Sequence, residues 1–234
     1  MKKRILISIA TLSCAFSLYS TAASAWHDET HLAIAKAAGY AKWYNAAGPD
    51  IAKIKAGLAE ERNHYSNNRG VGSVTPEMVL EQVKRYNDTG DKEGHLYGAI
   101  IASVHAYTKT QKDGKYAQYH LAYCAHYIGD LSQPLHNASL DGSSKINHGA
   151  NDGVVESEAL KSTDKIEKNM YPIALRTDHF EEDVAKEIAR IANLTRDLGN
   201  ELRKDNRNLS QEEAYRQLGH SASLFKAVLD CVKQ

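Results

Sequence analysis

KYAQYHLAYCAHYIGDLSQPLH, residues 115–136, is the stretch from which the rest of the chain can be read. Apolar residues recur at three-and-four spacing through 115–130, the period of a helix with a buried face. His126 and Asp130 stand four apart, so a helix projects them from one face, one turn above the other. Pro134 stops or kinks that helix, because it lacks an N–H and clashes with the preceding turn. His136 is thereby free to point at a different centre. Taken alone, the triplet fits three metal ligands. It also fits a core histidine, a cap-forming aspartate and a loop histidine.

The helical period continues on both sides. It predicts helices over 30–44, 50–62, 76–86 and 93–108 before this stretch, and over 148–160, 164–174, 179–203 and 210–232 after it. Thr75-Pro76 places proline at a first helical position, and Ser210-x-x-Glu213 has the pattern of a capping box. No segment alternates with period two and no internal repeat is evident. Gly, Asn and Ser gather at 67–73 and 137–147, which read as loops. The expected fold is all-α, a single compact multi-helix domain over 26–234.

Residues 1–25 read as a secretory signal peptide. Met1-Lys2-Lys3-Arg4 is a basic start, Ile5 to Leu18 is largely apolar, and Ala23-Ser24-Ala25 fits the small-x-small cleavage pattern. The apolar run is shorter than the roughly 20 residues of a spanning helix, so no transmembrane segment is expected. The expected location is secreted or periplasmic. Cleavage would make Trp26 the N-terminus. Its amine, with a reference pKa near 8, could then chelate a metal together with its own carbonyl oxygen.

The 234 residues carry no formal net charge, and loss of the signal's three basic residues leaves about −3. That balance argues against a duplex-DNA binder held by a large basic surface. Cys124 and Cys231 would remain in an exported chain, where a pair suggests one disulfide; the alternative is two buried thiols.

Further ligand types lie outside the opening stretch. Asp50 follows Gly48-Pro49, and His64 comes fourteen residues later. His31 lies five after Trp26, and His148 and Asp152 again stand four apart. These residues can be sorted into three sites. Asp50, His64, His126 and Asp130 could complete one. Trp26, His31 and the second oxygen of Asp130 could hold another, and His136, His148 and Asp152 a third with room for water or substrate. Imidazole and oxygen ligands without thiolate suit zinc. His27, His95, His105, His120, His179 and His220 are read as packed or surface histidines.

The ordered ligands resemble those of the bacterial zinc-dependent phospholipase C family and its relatives, the trinuclear-zinc single-strand-specific nucleases. The resemblance spans 26–234 and rests most on Trp26, HYIGDLSQPLH and the His148-x3-Asp152 pair. It implies an all-α fold around three zinc ions and hydrolysis of phosphodiesters, with metal ligands Trp26, His31, Asp50, His64, His126, Asp130, His136, His148 and Asp152. Attack would come from a hydroxide bridging the two zincs that Asp130 links, with Asp50 orienting or deprotonating the water. The short step from Trp26 to His31 and the aspartate at 152 are nuclease-like. The fourteen-residue step from Asp50 to His64 is phospholipase-like. Glu29 stands where choline-preferring phospholipases place an acid, and Tyr65 could pack on a head group or stack a base. Yet Ile51 and Glu61 replace the aromatics of their choline cage. The expected partner is a phospholipid head group or membrane surface, with single-stranded nucleic acid as the alternative and a monomer as the working unit. A third reading is a non-catalytic protein that keeps zinc for folding.

Overall fold

Two fifteen-residue helices, α5 (Leu96–Thr110) and α6 (Ala117–Leu131), run side by side as the spine of the molecule. Only six residues join them, which makes them an antiparallel pair. In keeping with this, Tyr97 at the start of α5 donates its hydroxyl to Asn137, just beyond the end of α6. The structure is a computed structural model that describes residues 26–68, 70, 72–110, 116–137 and 148–232. The expected signal segment and the loop at 138–147 lie outside the described residues.

Around the spine stand α1 (Asp28–Ala37), α2 (Gly48–Ala56), α3 (Leu58–Glu61) and α4 (Pro76–Val83). They are followed by α7 (His148–Asp152), α8 (Glu156–Ala159), α9 (Thr163–Glu167), α10 (Phe180–Asp205) and α11 (Gln211–Val232). The described residues contain no strand, so the fold is all-α. None of their helices is long and apolar enough to cross a membrane. The core holds Ile100, Ile101, Tyr97, Ile128 and Leu131 from the spine, Ile34 from α1, Ile188 from α10 and Phe225 from α11. Burial of each such side chain stabilises the fold by about 1.5–3 kcal/mol.

Several predicted helices are shorter than their sequence period suggested. The helix expected over 50–62 breaks at Gly57, whose φ of +55° is a conformation that glycine adopts without penalty. That break turns α3 away from α2 and redirects the chain towards His64. The helix expected over 164–174 stops at Glu167, ahead of Pro172, which removes a donor and biases Tyr171 away from helical geometry. The stretch over 148–160 divides into α7 and α8. The helix expected over 30–44 ends at Ala37 and is followed by a 3-10 turn at Trp43–Asn45.

The caps come partly from sequence neighbours and partly from far away. Ser210 and Glu213 form the expected box, Ser210 N–H to Glu213 Oε2 at 2.9 Å and Glu213 N–H to Ser210 Oγ at 3.2 Å. Thr75 Oγ1 accepts from Met78 N–H at 3.4 Å. α1 has no cap of its own. Glu156, the first residue of α8, supplies one by accepting from the N–H groups of Glu29 at 2.8 Å and Thr30 at 3.0 Å. A carboxylate at a helix N-terminus meets both free donors and the positive end of the dipole.

The disulfide expected between Cys124 and Cys231 is not formed; both thiols are free and buried. Cys124 is enclosed on α6 against Ser103 of α5, and burial pushes its thiol up to about 12. Cys231 lies near the end of α11, with Sγ 3.9 Å from Thr177 Oγ1.

Candidate metal centre

Asp130, the penultimate residue of α6, is completely buried and divides its carboxylate between three histidines. Oδ1 faces His31 Nε2 at 3.3 Å. Oδ2 faces His64 Nδ1 at 2.8 Å and His126 Nε2 at 3.5 Å. Asp50 approaches from α2, its Oδ1 3.8 Å from His64 Nδ1 and 3.7 Å from His126 Nε2. Two sets of possible ligand atoms result, His31 with His126 and Asp130, and Asp50 with His64 and His126; within each set all atoms lie within 4.8 Å of one another. His126 belongs to both.

Hydrogen bonds on the far side of each ring choose the nitrogen that is left for the centre. His126 Nδ1 lies 2.8 Å from the carbonyl of Ala46, which aims Nε2 inward. His64 lies in the opposite sense: Nε2 is 3.3 Å from Glu60 Oε1, which leaves Nδ1 facing Asp130. Such outer partners set tautomer and ring orientation in metal sites. Glu60 is itself held by the hydroxyl of Tyr127 at 2.6 Å. Burial pushes His64 and His126 well below the ordinary imidazole range, so both are neutral with a lone pair available. Burial also pushes the Asp130 carboxyl up to about 6.

The residues fit a bound cation. Although His31 Nε2 and Asp130 Oδ1 stand 3.3 Å apart, neither makes a hydrogen bond, and His31 Nδ1 has no partner among the described residues either. A buried polar atom without a partner costs about 1–3 kcal/mol, so His31 Nε2 and Asp130 Oδ1 facing each other unbonded make a poor core but a reasonable pair of ligand atoms. The donors are imidazole nitrogen and carboxylate oxygen, the set that suits zinc. His31 reaches this place only because residue 129 is glycine: a Cβ there would lie 2.5 Å from His31 Nδ1. His31 also stacks on His126 with ring centroids 3.7 Å apart.

Three of the remaining expected ligands, Trp26, His136 and Asp152, lie around the same end of α6. Trp26 is fully buried, and its indole Nε1 donates to Ser132 Oγ at 3.4 Å, two residues past Asp130. His136 ends the 3-10 turn that Pro134 begins, and its Nδ1 lies 2.8 Å from the carbonyl of His64. Asp152 is buried and accepts a hydrogen bond from Gln133, inside the opening stretch. His148 begins α7, four residues before Asp152. Glu29 is exposed on α1. Tyr65 is packed, its hydroxyl bonded to Arg62 and its backbone oxygen closing on Gly94.

Glu60, Lys53 and Gly129 were not singled out in the sequence. Glu60 stands four before His64, the same i,i+4 step that exposes His126 and Asp130. Lys53, three after Asp50, places Nζ 2.6 Å from its Oδ1. Of the histidines read as packed, His95 is buried between Asp91 at 3.1 Å and Asn63 at 2.9 Å. Asp50 retains 24% side-chain exposure while His64 retains 2% and His31, His126 and Asp130 none, so the centre opens to solvent on the α2 side. In comparison with known proteins, the chain matches no family model and no curated protein.

Proposed function

We propose that the chain is an exported zinc-dependent phosphodiester hydrolase that cleaves phospholipids in the manner of a phospholipase C. The observation that carries this reading is the fully buried Asp130, whose two oxygens face separate sets of imidazole nitrogens. The ordered resemblance of all nine ligand positions supports it. Asp50, His64, His126 and Asp130 would hold one zinc, Trp26, His31 and Asp130 a second, and His136, His148 and Asp152 a third. Zinc in such a setting neutralises phosphoryl oxygens and makes water a competent nucleophile near neutral pH.

The chain's own groups do the rest. Asp50, the ligand with solvent access, is placed to orient an incoming water and accept its proton. Lys53 beside it supplies a positive charge for a phosphoryl oxygen. Glu60 and Ala46 fix the rings of His64 and His126, so the ligand shell does not reorganise as charge develops. The burial of His31, His126 and Asp130 keeps competing water away from the side opposite the mouth.

The nuclease reading draws on the five-residue step from Trp26 to His31 and on aspartate at 152. Assays on phosphatidylcholine vesicles, other phospholipids and single-stranded DNA separate the two. The expected result is release of the phosphorylated head group, abolished by a chelator and restored by zinc. Cleavage of DNA without lipid turnover would replace this reading with the nuclease. Inactivity on every substrate at full zinc content would leave a zinc-stabilised binding protein.

A further inference from the structure

α2 is built inside out. Its charged Asp50 and Lys53 turn towards the metal centre, while Ile51 and Ile54 are 63% and 83% exposed. Leu58, across the Gly57 break, is 48% exposed, and Tyr44, just ahead of α2, is 58% exposed. A single exposed aliphatic residue is ordinary. Three within eight residues, on the segment that forms the mouth of the site, forgo about 1.5–3 kcal/mol of burial each. From Lys42 to Leu58 the only acid is Asp50, and it faces the centre, whereas Lys42 and Lys55 are exposed. The outer face of this segment is therefore apolar and cationic.

We propose that this face docks onto an anionic phospholipid surface, with Ile51, Ile54 and Leu58 entering the acyl boundary and Lys42 and Lys55 at the head groups. The inference rests on the reading that phospholipid is the substrate, and adds how the chain meets it. Charge favours this occupant, since each lysine near an anionic leaflet contributes about 1 kcal/mol. Size favours it too. Ile51 and Ile54 stand one turn apart on α2 and Leu58 follows across the Gly57 break, far fewer than the roughly 20–30 residues a side of a stable protein interface. A few side chains suffice for interfacial insertion. Docking here would bring head groups to Asp50, where the centre opens.

The test is co-sedimentation of the zinc-loaded chain from Trp26 onward with phosphatidylcholine vesicles, with and without phosphatidylglycerol. The parent is compared with an Ile54→Gln/Leu58→Gln variant and a Lys42→Gln/Lys55→Gln variant, with zinc content and turnover of monomeric short-chain phosphatidylcholine measured alongside. The expectation is binding that needs phosphatidylglycerol and weakens about tenfold in either variant, at unchanged zinc content. Vesicle binding through this face without any lipid turnover would support the docking surface while the hydrolase reading fails. Turnover of monomeric lipid by a parent that ignores vesicles, or equal binding by parent and variants, would overturn the docking surface and leave the hydrolase reading standing. A parent that is dimeric where the Ile54→Gln/Leu58→Gln variant is monomeric would overturn it in favour of a second copy.

Discussion

Asp130 and its neighbour Gly129 show how closely chemistry and packing are joined at single residues. Asp130 can serve His31 with one oxygen and His64 and His126 with the other only because α1 comes close enough to seat His31 against the backbone of residue 129. Gly129→Ala is therefore expected to push His31 out of the shell. Overpacking of this kind costs about 1–3 kcal/mol, and zinc titration by calorimetry should show the His31 set lost while the Asp50 set still binds. Full zinc affinity in that variant would mean that His31 is not a ligand. At this scale the sequence was informative about ligand types, because histidine and aspartate at helical spacing are conspicuous. It said less about supporting groups. Glu60 and Ala46 act through one hydrogen bond each, and a backbone carbonyl leaves no trace in residue identity.

Among the elements, helix starts were more legible than helix ends. The Ser210-x-x-Glu213 box formed as expected because both partners lie within one turn. Glu156 could not be foreseen as the cap of α1, since nothing local links residues more than a hundred positions apart. The period of apolar residues also overran the true ends: Gly57 and Pro172 broke helices whose side-chain pattern continued past them. The α11 box carries a pH signature. Glu213 is held down to about 2, first by Arg207 and then by Ser210, against an ordinary 4.5. A carboxyl depressed by folding adds stability above its unfolded value, and that stability is lost as pH falls from about 4.5 to about 2. Glu213→Gln should cost about 1 kcal/mol at pH 7. In urea melts the gap from the parent should close as pH approaches 2. A gap independent of pH would assign the effect to packing rather than to the charged cap.

For the whole molecule, the all-α architecture was readable because the 3.6-residue period runs through most of the chain, whereas the gathering of His31, Asp50, His64 and His126 around Asp130 came only with the tertiary fold. Buried polar atoms of His31 and Asp130 without a hydrogen bond lie where α1 and α6 meet, and α2 and the segment after α3 come in through Asp50 and His64. Metal bound there would fasten these helices together. At a thousandfold excess over its dissociation constant, one bound ion adds about 4 kcal/mol. For a domain of this size that corresponds to about 8–16 °C in melting temperature. Chelation should therefore lower the melting temperature by at least that much, reversibly on return of zinc. An unchanged melt would show that the helices do not depend on a cation.

The central claim is that Asp130 joins two metal sites, and elemental analysis of the purified chain beginning at Trp26 tests it most directly. The parent should carry three zinc ions per chain and Asp130→Asn no more than one, with the helical circular-dichroism signal retained. A metal-free parent, or an Asp130→Asn variant with the parent's full zinc content, would contradict the claim.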